Sequence, residues 1–354
     1  MKEPSVLILY SLPAPFFPDG TPDIFGQESV LSRLNAVQQA LLSSEYPVQT
    51  LEARGDVAVL LEKIRSAKAD LVFNLCEEFL GQTRLEMNVA ALLELLDIRF
   101  TGSSALVLGL SQDKGKTKSI LAHGGIPTPA YCVWQPGKDR LLSALRFPLI
   151  IKPLLEDASL GIDNDAYIPD EKTLKQQVQR VHQGYGQVLV EEYIEGRELN
   201  VSILGNHKPQ VLPISEIDFS SMPPGLPRIC SYAAKWVENS REFSSTVPRC
   251  PASLPSKVEE EVKRVSLEAY RIMDCRDYAR VDIRLSAEGT PYVLEINANP
   301  DISPDAGMTR SAKTAGYTYP EFIARIVEIS SSRNDSLPSR RRSRRAPRQK
   351  ETRG

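Results

Sequence analysis

Two rhythms of apolar residues alternate along the first third of the chain. Residues 5–10 form a continuous apolar run of the kind that makes a buried strand, whereas residues 28–44 place Val30, Leu31, Leu34, Val37 and Leu41 at helical spacing. The same reading gives a short strand at 48–51, a helix at 57–67, a strand at 70–75 and a helix at 85–96. A strand–helix–strand–helix order predicts a parallel sheet with helices on both faces. Sites in such sheets lie beyond the carboxyl ends of the strands, here after Tyr10 and at Cys76-Glu77-Glu78-Phe79. The segment 12–25 is long for a strand-to-helix connection, which marks it as a functional loop.

From about residue 112 the pattern changes. Helices are expected at 114–122, 171–183, 257–273 and 319–329, and strands at 130–134, 147–153, 187–194, 197–204 and 211–217. Stretches 218–227 and 239–255 are irregular and rich in Pro and Ser. The strand 147–153 ends on Lys152 and runs into a polar loop, 156–161, that carries Ser159 and Gly161.

Residues 278–300 predict a hairpin with Glu288-Gly289 as a two-residue loop. Ala287 then pairs with Thr290, Asp282 with Glu295 and Arg280 with Asn297. Alternation puts Arg280, Asp282, Glu295, Asn297 and Asn299 on one face, and Val281, Ile283, Leu294 and Ile296 on the other. Carboxylates directly opposite on a ladder repel. A hard cation between them removes the conflict, since Asp, Glu and an Asn carbonyl supply the oxygen ligands that Mg²⁺ takes. A solvated polar edge is the competing reading of the hairpin alone.

Composition narrows the class. The chain has 354 residues, enough for two or three domains. Its net charge of −2 hides a tail from 331 to 354 with nine Arg or Lys against Asp335 and Glu351, leaving the body at −9. The tail is too polar to fold alone and reads as a solvated extension able to touch nucleic acid or an anionic surface. Five scattered cysteines without a CxxC pair, and three histidines without metal spacing, argue against a disulfide framework and a zinc site. No run is long and apolar enough to span a bilayer, and the N-terminus does not read as a signal peptide, so a cytoplasmic protein without a membrane partner is expected.

A nucleotide site follows from strand-end chemistry. Gly109 to Thr117 is not a P-loop, because five residues rather than four separate its glycines. Lys152 can instead reach a phosphate from its strand end, the 156–161 loop can cover phosphates with N–H groups, Glu191-Glu192-Tyr193-Ile194 suits the edge of adenine, and Glu198 suits a ribose hydroxyl. In order, Asp113-Lys114, Pro148-Leu-Ile-Ile-Lys-Pro153, Val188-Leu-Val-Glu-Glu-Tyr-Ile-Glu-Gly-Arg-Glu198, Arg280-Val-Asp282 and Leu294-Glu-Ile-Asn-Ala-Asn-Pro300 resemble the ATP-grasp superfamily, and within it the D-alanine–D-alanine ligases.

The resemblance implies a mixed α/β and α+β ATP-grasp fold with an N-terminal Rossmann-like pre-ATP-grasp domain (1–111), a small lid domain (112–187), a C-terminal domain with the metal site (188–330) and a disordered basic tail (331–354). It implies ATP held by Lys114, Lys152, Glu191, Glu192, Tyr193, Ile194 and Glu198, with two Mg²⁺ ions, or Mn²⁺, on Asp282, Glu295 and Asn297. Ser159 would close over the terminal phosphate, Lys235 would approach it from a mobile segment, and Arg280 would stabilise the acyl phosphate. Glu28 would sit near the first substrate's ammonium. A homodimer is also implied.

Four places depart from the family. Asp157-Ala158-Ser159 replaces Gly-Ser-Ser, Trp236 replaces a tyrosine, the loop Cys76-Glu77-Glu78 lacks an expected histidine, and Asp301, Asp305 and Ala306 occupy the stretch that grips the acceptor's carboxylate. Three functions follow: ATP-dependent D-alanine–D-alanine ligation through an acyl phosphate, the same mechanism on other amino acids or amines, or nucleotide binding without turnover by a protein whose tail binds nucleic acid.

Overall fold

The computed structural model describes residues 3–13, 24–136, 144–156 and 159–333. Most of the 331–354 tail, and Asp157-Ala158 of the lid loop, lie outside these residues.

The N-terminal unit holds β1 (Val6–Tyr10), α1 (Ile24–Ser43), β2 (Val48–Glu52), α2 (Val57–Ala67), β3 (Leu71–Leu75), α3 (Glu86–Leu95) and α4 (Ala105–Gln112). Its sheet is parallel in the order β2-β1-β3, as the alternating pattern predicts. β1 sits in the centre because its apolar run can be buried on both faces. Asp56 caps α2 by accepting from the amides of Ala58 and Val59.

The second unit holds α5 (Lys114–His123), β4 (Tyr131–Trp134), β5 (Leu149–Pro153), β6 (Tyr167–Ile168), α6 (Glu171–Tyr185) and β7 (Val188–Glu192). Its antiparallel sheet runs β4-β7-β5-β6. β7 therefore belongs to this sheet, and the boundary expected before residue 188 lies after Glu192.

The C-terminal unit holds β8 (Gly196–Leu204), β9 (Gln210–Val211), β10 (Ser215–Asp218), α7 (Tyr232–Trp236), α8 (Arg241–Ser245), β11 (Val247–Arg249), α9 (Ser256–Ile272), β12 (Tyr278–Ser286), β13 (Pro291–Asn297), α10 (Gly307–Thr314) and α11 (Tyr319–Ser331). Its sheet runs β11-β10-β8-β12-β13, with β9 beside β8. The stretch 239–255, expected to be irregular, thus contains α8 and β11, each too short to announce itself by periodicity.

Three apolar cores divide the chain differently from its sheets. Two of them each join β1 and β3 of the first unit to strands or helices of the C-terminal unit. The third is confined to β4–β7 and α6, with Ile229 added from the segment before α7. The N- and C-terminal units form one base, and the small sheet is a lid with its own core.

The hairpin of β12 and β13 pairs Arg280 with Asn297 and Asp282 with Glu295, as its pattern predicts. Its tip differs. Ser286, not Ala287, faces Thr290, and 287–289 form a three-residue loop closed by Gly289 at φ +86°. A bulge at Leu294 removes the resulting offset, because Ile283 pairs with Val293. Val293 therefore faces the core, and Leu294 is half-buried and outside all three cores, contrary to the expected alternation.

The folded chain also extends past residue 331, where the tail is expected to begin. Ser331 ends α11, and Arg333 is buried, with its guanidinium on Asp277 and on the carbonyls of Phe100 and Gly102.

Candidate active site

β8, β12 and β13 lie side by side, so period-two alternation builds a grid of polar residues on one face. Arg280 is flanked by Ser202 and Asn297, Asp282 by Asn200 and Glu295, and Arg284 by Glu198. At the centre, Arg280 grips Asp282 through Nε and Nη2 at 2.7 and 2.8 Å. Asn200 Nδ2 donates to the same carboxylate at 2.8 Å and Asn297 Nδ2 at 3.1 Å. A fork of this kind fixes orientation as well as charge. It also raises the Arg280 pKa: burial opposes the charged form, but Asp282, Glu295 and Asp301 outweigh it.

Glu295 resolves the conflict expected between facing carboxylates. Lys114 Nζ lies 3.9 Å from its Oε2. Burial alone would raise the Glu295 pKa, but Lys114, Lys152, Lys235 and Arg280 together pull it down to about 2. Lys114 begins α5, whose N-cap Asp113 accepts from the amide of Lys116, and its Nζ donates to the carbonyl of Glu156 in the lid loop at 2.6 Å. Lys235 comes from α7, capped by Ser231.

Among the described residues no three His, Cys, Asp or Glu side chains form a metal cage. Asp282 and Glu295 with the Asn297 carbonyl fit Mg²⁺ nonetheless, because this ion is commonly held by one or two carboxylates while substrate phosphates and water complete its shell.

The nucleotide residues separate into two groups. Glu191 is fully buried, with its carboxylate 2.7 Å from Lys152 Nζ and 2.6 Å from Lys118 Nζ. Its side chain is thus unavailable to a base. Glu192 turns the other way, to the amide, Nε and Nη2 of Arg146. Tyr193 accepts from Arg284 Nη2 at 2.7 Å and meets Tyr167 edge-on, so its side chain links the small sheet to β12. Ile194 is half-buried and, like Leu294, outside every core. These two apolar side chains suit a base. Glu198 faces Arg284 at 3.6 Å, and burial raises its carboxyl pKa despite that cation.

Ser159 adopts φ +61° and donates to the Cys230 carbonyl at 2.8 Å, tying the lid loop to the segment before α7. Glu28 is not brought into the cluster. It is exposed early in α1, and no hydrogen bond or ion pair holds it among the described residues.

The substrate end has a network of its own. Buried Arg33 of α1 joins Glu77 after β3 to Asp301 after β13, at 3.4 Å from the latter. Asp301 also accepts from the amide and hydroxyl of Ser303. Asp305 is exposed, and Ala306 precedes α10, whose Gly307 begins beside Asn200. Cys76 is fully buried, with its thiol pushed far up by burial.

Arg33, Lys118, Asn200 and Arg284 escaped the sequence reading. Three of them carry a signal. Lys118 lies one helical turn after Lys114, and Asn200 and Arg284 each lie two residues after a predicted site residue on the same strand face.

The family sequence profile described as the D-ala D-ala ligase C-terminus matches residues 120–328. The D-alanine–D-alanine ligase of Desulforudis audaxviator is 32% identical over 304 residues, covering 84% of this chain and 92% of that protein. An uncharacterized protein of Sinorhizobium fredii, y4sG, is 35% identical over 293 residues, covering 80% and 84%. The crystal structure of a D-alanine–D-alanine ligase from Bacillus anthracis complexed with ATP superposes with a TM-score of 0.71 at 25% identity, covering 92% of this chain and 97% of that one. The chain belongs to the D-alanine–D-alanine ligase family of ATP-grasp enzymes.

Proposed function

We propose that this enzyme is an ATP-dependent ligase that joins the carboxylate of one amino acid to the amine of a second substrate through an acyl phosphate. The observation that carries this reading is the convergence of Lys114, Lys152, Lys235 and Arg280 on Glu295 and Asp282. Phosphoryl transfer needs positioned cations more than a nucleophilic side chain.

Each residue then has a definite task. Lys114 and Lys152 hold phosphate oxygens, and Lys235 meets the terminal phosphate from α7. Asp282, Glu295 and Asn297 would hold Mg²⁺, which when bound supplies charge neutralisation at the transferring phosphoryl group. The first substrate's carboxylate attacks the γ-phosphorus, the bond to ADP breaks, and the acyl phosphate remains. Arg280, already fixed by Asp282, presents its charge to that acyl phosphate and to the oxyanion formed when the amine attacks. Such preorganised charge needs no rearrangement during reaction. Ile194 and Leu294 flank the base and Glu198 the ribose.

The second substrate is open to two readings within one mechanism. The family's name points to D-alanine at both positions. The Arg33–Glu77–Asp301 network and exposed Asp305 favour a different second amine, because carboxylates at this end repel an acceptor's own carboxylate. Phosphate release with MgATP over a panel of D- and L-amino acids, singly and in pairs, decides. Release with D-alanine alone supports the first reading, and release only with other acids or added amines supports the second. No release with any of them, despite MgATP binding, overturns ligation.

A further inference from the structure

We propose that Lys118 is a positioning residue that neutralises Glu191 and thereby keeps Lys152 available to nucleotide phosphates. The inference rests on Lys152 being a phosphate-binding lysine.

Lys118 is fully buried, and its Nζ lies 2.6 Å from Glu191 Oε2 and 2.9 Å from Thr128 Oγ1. Thr128 in turn donates to the Val293 carbonyl at 2.8 Å. The Lys118 ammonium also stands 5.8 Å from the centre of the Tyr131 ring. The Lys118 side chain and the Glu191 carboxylate it meets are both fully buried, so Lys118 acts through Glu191 rather than as a ligand itself.

The charges run in alternation from this interior point to the metal face: Lys118, Glu191, Lys152, Glu295, Lys114. Lys118 and Lys152 are the cations that bear most strongly on Glu191, and each takes one of its oxygens. Take Lys118 away and the balance changes. A buried carboxylate with a single cation forms a closed one-to-one pair, whose attraction is strong in a dry environment. Lys152 would then be held by Glu191 rather than shared with a phosphate. With Lys118 present, two ammonium groups share one carboxylate, and the surplus positive charge lies on the side of Lys152, on which Glu295 bears more strongly than on Lys118. Glu191 thus supports the nucleotide site through a lysine rather than by reading a base.

Isothermal titration calorimetry with MgATP on Lys118→Met and on Lys118→Met/Glu191→Gln tests this, alongside thermal melts. Lys118→Met is expected to weaken MgATP by roughly tenfold or more. The double variant is expected to recover most of that loss, because Lys152 is no longer captured. Unchanged binding in a folded Lys118→Met, or a double variant as weak as the single one, overturns the proposal. If the single variant does not fold, the double variant decides alone: affinity within about fivefold of the parent supports the proposal and a greater loss overturns it. A parent chain that does not bind MgATP defeats the nucleotide reading itself, a result distinct from any difference between variants.

Discussion

At the scale of the residue, the site is governed by how few negative charges must hold many positive ones. Glu295 faces three lysines and an arginine, which hold its pKa down to about 2. Replacing it with Gln removes the common counter-ion of Lys114 and Lys152 and, on the proposed assignment, one Mg²⁺ ligand. Turnover should fall by more than about 100-fold, measured as phosphate release under saturating MgATP. Full activity in Glu295→Gln would remove the metal assignment. The depressed pKa also gives stability a sign. A carboxylate whose folded-state pKa lies below its ordinary 4.5 stabilises the fold above that value, and the contribution is lost as pH falls from about 4.5 towards 2. The melting-temperature gap between the parent and Glu295→Gln should therefore narrow across that interval and stay constant from pH 5 to 7.

At the scale of the element, the hairpin shows what could be read from sequence and what could not. Alternation placed Arg280, Asp282, Glu295 and Asn297 on one face, because side-chain direction along a strand is local. The loop length and the bulge were not legible, since each depends on how the hairpin packs. They also cancel, so the site register came out right although the tip did not. The lid strand β5 was legible for the same local reason, being a continuous apolar run. The ion pair of the Glu191 side chain is not legible in the sequence, because its partner Lys118 lies on a helix some seventy residues earlier and no local pattern joins the two. The tip itself gives a prediction. A Cβ on Gly289 would meet only Val258 Cγ2, at 3.7 Å, so Gly289→Ala is costly only through its φ of +86°. It should destabilise by about 1–2 kcal/mol in chemical denaturation, with MgATP affinity changed by less than about twofold.

At the scale of the whole molecule, the base is one body because two cores cross its units, while the small sheet and α6 share a core of their own. Asp277 is the polar counterpart of that shared core. It is fully buried at φ +62°, a conformation Asp tolerates better than most residues. Its carboxylate accepts from the amide of Gly102 at 2.8 Å in the N-terminal unit, from Asn206 Nδ2 at 3.0 Å, from the Ser330 hydroxyl at 2.6 Å, and from Arg333. One side chain thus ties the connection between α3 and α4 to the turn after β8 and to the end of α11, and Arg333 is kept buried by it. Removing one partner of such a buried pair leaves the other charge uncompensated, which costs about 3–5 kcal/mol. Asp277→Ala should accordingly lower the melting temperature by on the order of 10 °C. Arg264→Ala, which breaks the exposed pairs with Glu261 and Glu268 on α9, should barely move it, because solvent already screens those charges. Equal shifts in the two variants would mean that the units are held by their apolar cores alone, with Asp277 a bystander to their union.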